Sequence, residues 1–557
     1  MKTFKIVSVA CFMSASIGCL AEKNTGINLY ESGMYGAAKV YFQKHLNLAA
    51  TPQEKAEAYY YLGESYLKIN LPDSARFSYT QGAEALPDSP FNKIGLEKIK
   101  MKEQGALSKE QYKVQDGLFK EILKVDKKNV RLPLAVAEAY LYAGDTVRAL
   151  EYIKQAKKAD SKNGLPYLLE GDVLLAKKSY NEAGKNYDMA VYFSPDLIGA
   201  YLRFAKMYMP INDEIAREKL AIAKDVNPSF SGADRLLGEM YEKQGKYNDA
   251  VQAYSKFIDE GNFDEDDLLR YAGLFYSNNQ YDKMMPIVES ILRTQPDNRV
   301  ANRLQAYGLA EIEPGEKSIS AIKKFVENTP EDKLLVQDYL TYAKQLSANK
   351  YYTETAEIYE KVIAKDNTKK ALYKDIAEAY TKAKQWEQAT YYFELYLNYV
   401  ETPDPTITFQ IGRNYYNMAS ADSVKLAVLA SKADSTFASL AAIVPDSHLG
   451  YFWQARTQSL LDPLITQGLA QPHYEKVIEL VVEQPDKYKS VLLECYKYLG
   501  YYYYVKAAEI VKTNNNKVNE AARVEYLKAK EYFSKALELN PADTDTLAEL
   551  EKLKTIK

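Results

Sequence analysis

The chain of 557 residues has little tryptophan, cysteine or histidine: Trp 2, Cys 3 and His 3. Cys11 and Cys19 lie in an amino-terminal segment that reads as one removed or lipidated, which leaves Cys495 without an intramolecular disulfide partner, and it reads as a small buried hydrophobe. His45, His448 and His473 are scattered, without a neighbouring His, Cys or acid at metal-ligand spacing, so no metal site is expected. There is no phosphate-cradling Gly-rich loop, nucleophile elbow or Cys-x-x-Cys pair, so no catalytic residue and no cofactor is expected either. Lys+Arg 72 against Asp+Glu 75 gives a formal charge of −3, which supplies no basic excess for nucleic acid. Gly 25 and Pro 20 are too few for a disordered or fibrous chain. What is abundant is tyrosine, with 49 Tyr against 18 Phe.

The amino terminus reads as an address. Met1, Lys2 and Lys5 precede an apolar stretch from Ile6 to Ile17, and small residues follow around Gly18 and Ala21, the pattern of a secretory signal peptide. The stretch is too short to span a bilayer, and no second apolar run of spanning length follows. Cleavage after Ala21 is the first expectation. A rival is a lipoprotein signal, in which Ile17-Gly18-Cys19 resembles a lipobox and Cys19 is acylated, although Ser16 stands where Leu is preferred. A cytosolic chain with a misleading start is the third. The first places the mature chain in a bacterial periplasm, the second at an outer membrane as a lipoprotein.

The rest of the chain repeats. Ala149, Ala183, Ala216 and Ala250 follow one another at steps near 34, and so do Pro195 and Pro228, with Pro296 and Pro330 in the same register. A unit is clearest at Leu237-Gly238, Tyr241, Gly245, Tyr247, Ala250 and Tyr254. Four-residue steps place Leu237 with Tyr241, and Ala250 with Tyr254, on single helix faces, while Gln244-Gly245-Lys246 breaks the helix. Each unit is therefore a helical hairpin in which a small residue lets two helices approach and an aromatic fills the space beside them.

At these residues the chain resembles the tetratricopeptide repeat (TPR) superfamily. Its Leu-Gly…Tyr signature recurs as Leu62-Gly63 with Tyr66, Ile411-Gly412 with Tyr415, and Leu499-Gly500 with Tyr503; Ala137 and Ala377 replace the Gly before Tyr140 and Tyr380. Its second-helix pattern recurs as Ala75 with Tyr79, Ala389 with Phe393, and Ala529 with Phe533. The resemblance implies an all-α fold, an α-solenoid (right-handed superhelix) of about 13 to 14 hairpins. The expected organisation is a signal peptide at 1–21, amino-terminal units at 22–90, a divergent hairpin at 91–128 and a central array at 129–400. Insertion-bearing units at 401–541 and a capping helix at 542–557 follow. Glu401 to Pro405 is the candidate hinge.

The resemblance implies a scaffold for protein or peptide partners, without catalysis. In related TPR proteins the residue after the small position lines the concave groove, and here it is acidic at Glu64, Glu138, Asp172, Glu239 and Glu378. The competing reading is that these are solvated helix residues. Consecutive tyrosines at 59–61 and 501–504 cannot all face inwards, because helix neighbours point about 100° apart. Tyr60 and Tyr502 are therefore candidate partner contacts, against the alternative of packing along an extended helix. Asp264 to Asp267 reads as an acidic helix start rather than a cation site. A second function class is a glycan-binding outer-membrane lipoprotein, against which Trp386 and Trp453, the only two Trp, and near-continuous repeats count. A third is an enzyme hidden in the carboxy-terminal insertions.

Overall fold

A computed structural model describes residues 25–105, 107–554 and 556. The signal-peptide reading of 1–21, Ala21 and Cys19 lies outside the described residues. Within them, α-helices follow one another from Tyr35–His45 to Thr544–Lys552, and no strand occurs. The helices pair as antiparallel hairpins such as Pro52–Lys68 with Pro72–Ala85 and Leu165–Ala176 with Tyr180–Phe193. This is the all-α helical-repeat architecture that the period near 34 predicts.

Local signals start and stop the helices. Thr51 caps Pro52–Lys68 in a reciprocal box with Glu54, and Pro52 occupies a position where the missing N–H costs nothing. In many of the hairpins the chain turns between the two helices through one left-handed residue. Gly144 and Gly245 take that place, but so do Asn70, Lys178, Asn279, Lys350 and Lys384. Inside a hairpin the small residue and the aromatic meet as predicted: a Cβ on Gly63 would collide with the Tyr79 ring, and one on Gly171 with Tyr187. A representative core joins Leu168, Ala183, Tyr187, Ala190, Phe204 and Met207 across successive hairpins.

The chain divides into two units, residues 1–308 and 309–557. The division falls inside the helix Arg299–Ile312, not at the proline-rich segment 401–405. That segment is a capped turn within the second unit. Glu401 ends one helix in a left-handed conformation, and Asp404 accepts from Thr406 and Ile407 to begin the next. Phe393, Ile407 and Ile411 pack together across it, which explains why two prolines do not make it a boundary here.

In the first unit, Pro90–Gln104 packs on Arg131–Ala143 and Pro52–Lys68, while Lys109–Leu123 reaches Tyr140 and Tyr152 through Phe119. In the second unit the extra residues lengthen helices, as in Pro405–Ala421, Leu426–Ile443 and the 25-residue Lys489–Thr513. Contrary to the expectation of no further apolar run, Leu426–Ile443 has the length and hydropathy, 1.3 over 18 residues, to cross a membrane. Its Ala430, Ala433, Phe437, Leu440 and Ala441 are buried against the neighbouring helices, while 28% of the stretch is buried in all and Val428 and Ile443 are exposed. Thr544–Lys552 closes the described chain, with Leu553 buried.

Candidate interaction surface

The five acidic positions after the small residue fall at equivalent places on first helices, but they do not share one environment. Glu64 is 1% exposed and accepts both a Tyr79 hydroxyl bond at 2.7 Å and the Lys98 ammonium at 2.6 Å. Glu138 lies between Lys68 at 3.4 Å and the Tyr30 hydroxyl at 3.2 Å. Asp172 accepts from Tyr187 at 2.8 Å and pairs with Arg203. Glu239 pairs with Arg235, whose Nε also donates to the buried Asp267 at 2.8 Å. Glu378 alone of the five is exposed.

Four of the five carboxylates are thus engaged inside the first unit. Two of them, Glu64 and Asp172, reach a cation on a later first helix, Lys98 or Arg203, so the station ties repeats together. Neighbouring cation charge decides the protonation state. Burial, the largest influence on the Glu138 carboxyl, would raise it, yet Lys68 and Lys98 with the Tyr30 hydroxyl hold it below the ordinary range. Burial, reinforced by the Glu64 and Glu138 carboxylates, pushes the Tyr30, Tyr60 and Tyr79 hydroxyls well above their usual value.

Of the tyrosine clusters, Tyr60 is 6% exposed, with its ring 5.1 Å from Phe91 and 5.2 Å from Tyr61. It faces inwards because Phe91 and Phe42 come from adjacent helices to cover the face on which 60 and 61 stand. Tyr502 is half-buried, lying over Gly468 with Lys506 5.9 Å from its ring centre. Signature tyrosines Tyr140, Tyr380 and Tyr503 are buried, and each hydroxyl donates to a carboxylate of an earlier hairpin: Asp116, Glu360 at 2.8 Å and Glu475 at 3.0 Å.

The acidic run behaves as a helix start. Asp264 caps Glu265–Ser277 in a reciprocal box with Asp267, and the Asp267 carboxylate also accepts from Tyr254 at 2.8 Å. No group of His, Cys, Asp and Glu able to hold a metal ion is found among the described residues. Cys495 is buried, which raises its thiol pKa. Trp453 is stacked on Phe437 and met edge-on by Phe409 and Tyr416, with Arg413 and Arg456 about 5 Å from its ring, an arrangement that does not favour a sugar platform.

Composition gives no sign of Tyr30, Glu31, Arg131 and Arg203, which join distant repeats of the first unit. Arg131 pairs with Glu31 at 2.7 Å and donates to the Tyr61 hydroxyl at 3.0 Å. Arg203 donates to the Glu31 carbonyl at 2.6 Å and the Tyr30 carbonyl at 3.4 Å. A separation of 172 residues has no local sequence signal; only the 34-residue spacings, such as Glu64 to Lys98, were available to a repeat alignment.

Comparison with known proteins is consistent with the repeat. The family described as intraflagellar transport protein 56 matches residues 234–454. Tetratricopeptide repeat protein 8 of Caenorhabditis elegans is 22% identical over 215 residues, 38% of this chain and 41% of that one. The chain thus spans about two fifths of that relative's length. Among solved structures, the carboxy-terminal part of a TPR protein from Cytophaga hutchinsonii is 24% identical, covering 51% of this chain and 99% of that one, with a TM-score of 0.35. A TPR protein from Parabacteroides merdae is 19% identical, covering 45% and 98%, with a TM-score of 0.31. The fold itself rests on the chain's own hairpins, their small-residue and aromatic contacts and their period: this is an all-α helical-repeat protein.

Proposed function

We propose that the protein is a non-enzymatic interaction scaffold of a bacterial cell envelope, binding partner proteins or peptides on the surface of its repeats. The observation that carries this reading is the hairpin array itself: side chains such as Glu378 and Tyr391, at 57% exposure, project from helices whose other faces are fixed by packing. Repeats of this kind present a long surface with interchangeable side chains on a stiff frame, which suits recognition of another chain. Glu378 and the half-buried Tyr502 are the proposed partner contacts among the acidic and tyrosine positions. The amino-terminal pattern from Met1 to Ala21 supports export, to the periplasm or, with Cys19 acylated, to the outer membrane.

The test is crosslinking in intact cells followed by affinity capture, with the mass of the mature amino terminus measured in the same preparation. The reading predicts defined protein adducts and a chain beginning at Glu22 or at an acylated Cys19. An uncleaved chain beginning at Met1 would contradict the envelope assignment, and an absence of adducts would contradict the scaffold.

A further inference from the structure

In a repeat stack each hairpin is expected to touch only its neighbours. The first described hairpin, the helical turn at 25–31 and Tyr35–His45, departs from that rule within the first unit. It packs on Pro52–Lys68 as a neighbour should, but Tyr30 and Glu31 also reach Glu138, Arg131 and Arg203, three to five repeats along the chain. Lys44 donates to the Gly261 carbonyl, further still. Gly199 makes the approach feasible, because any side chain there would strike the Glu31 backbone.

The contacts are matched group by group to the end of a helical turn. Arg203 donates to the Glu31 carbonyl at the end of the turn, and at 3.4 Å to the Tyr30 carbonyl, which also accepts from the Gly33 N–H. Arg131 receives the carboxylate of Glu31. Glu64 and Glu138 receive the tyrosine hydroxyl, at 3.3 and 3.2 Å. The fit is incomplete: a cavity beside Tyr30 and Glu31 is walled by Phe91, Leu134, Leu165, Leu168 and Leu169. Charged groups there gain from pairing and lose heavily if left alone, so the groove favours some occupant over none.

We propose that this groove is a recognition site for a protein segment whose helical turn ends on an aromatic–acid pair, and that Tyr30-Glu31 is its built-in occupant. A partner segment that adds a Leu or Phe beside the pair gains the apolar contact that the resident segment leaves open. Glu64, Glu138 and Asp172 then belong to a site that opens only when residues 25–45 leave it. The inference deepens the scaffold reading and assigns a ligand chemistry to one of its surfaces.

The probe is a synthetic peptide of residues 25–45 carrying a fluorophore at its carboxy terminus, added to the full chain. Glu31→Arg sets the resident segment against Arg131 while leaving the groove intact, and should bind the peptide about tenfold more tightly than the unaltered chain. Glu31→Arg with Arg131→Glu restores the resident pairing, faces the peptide's own Glu31 with a carboxylate, and should return binding to the low level. Equal binding to all three chains, or none to any, overturns the proposal. Hydrogen exchange on the unaltered chain tests it without a variant: residues 25–45 should open while Arg131–Ala143 stays protected. Opening of both only together overturns it. Failure here with partners still captured from cells removes this site alone and leaves the scaffold standing.

Discussion

The Tyr79 hydroxyl donates to the Glu64 carboxylate at 2.7 Å, and the Tyr79 ring lies against Gly63, the residue before that acid. The same pair recurs as Tyr187 on Asp172 at 2.8 Å, with the ring against Gly171. Where the following residue is Arg413 or Tyr501 instead of an acid, the aromatic against Gly412 or Gly500 is Phe437 or Phe533. At Gly238, before Glu239, the Tyr254 ring packs on the glycine while its hydroxyl donates to Asp267, so in each of these cases the ring satisfies packing and a Tyr hydroxyl finds a carboxylate. This accounts for part of the excess of Tyr over Phe.

Tyr79→Phe should cost about 1–3 kcal/mol by leaving the buried Glu64 acceptor one bond short, and Tyr187→Phe less, because Asp172 is part-exposed and water can replace the bond. Phe437→Tyr should destabilise as well, since its hydroxyl would have no carboxylate at the matching place. Chemical denaturation of the three variants measures this; a neutral Tyr79→Phe would remove the pairing rule.

The buried pair Glu64–Lys98, with side chains 1% and 3% exposed, predicts a coupling. Glu64→Leu alone leaves the Lys98 ammonium buried without its partner and should cost about 3–5 kcal/mol. Adding Lys98→Met should recover most of that loss. A double-mutant cycle read by denaturant midpoint decides; additive losses would show that the two charges do not depend on each other.

Glycines divide by what surrounds them. Gly63→Ala would push a methyl into the Tyr79 ring and should destabilise the first unit. Gly117→Ala and Gly273→Ala stand in helices with open space around them and should stabilise by about 0.5–1 kcal/mol. Thermal melts of the three variants check the ordering.

Alkaline pH should weaken the first unit before it ionises fully. Burial raises the Tyr61 hydroxyl to about 12, and pushes Tyr30, Tyr60 and Tyr79 well above the usual value. A group whose folded pKa is raised contributes stability in full below its unfolded pKa, about 10 for tyrosine, and loses it as pH rises through the folded value. Stability should therefore fall from about pH 10 through about 12. Lys68, whose side chain is 36% exposed, is raised by the Glu138 carboxylate against an opposing desolvation, and adds a smaller, solvent-screened loss in the same direction. Denaturant midpoints measured alongside tyrosinate absorbance test this. A midpoint unchanged across that range, with every tyrosine ionising together, would contradict it.

The repeat and its packing logic were legible because they are periodic: Ala149 to Ala250 and the Gly–aromatic spacing repeat until chance is excluded. The hairpin turn is legible at Gln244-Gly245-Lys246, where a glycine marks it. At Lys178, Lys350 and Lys384 the same left-handed turn carries a residue that gives no turn signal, the surrounding helices imposing the conformation. The acidic station was visible, but its occupancy was not, because Lys98 and Arg203 stand a repeat away and Tyr30 and Glu31 arrive from the far end of the unit. Tyr60 was drawn to the surface by counting directions around one helix, and is covered instead by Phe91 from the next.

The most direct test of the scaffold reading is photocrosslinking in living cells from a benzoylphenylalanine placed at Glu378, at Tyr391 or at Tyr502, with Tyr79 as a buried control. The account predicts a protein adduct of defined mass from at least one of the first three positions and none from the control. Adducts absent from all three, or equally abundant from position 79, would contradict it.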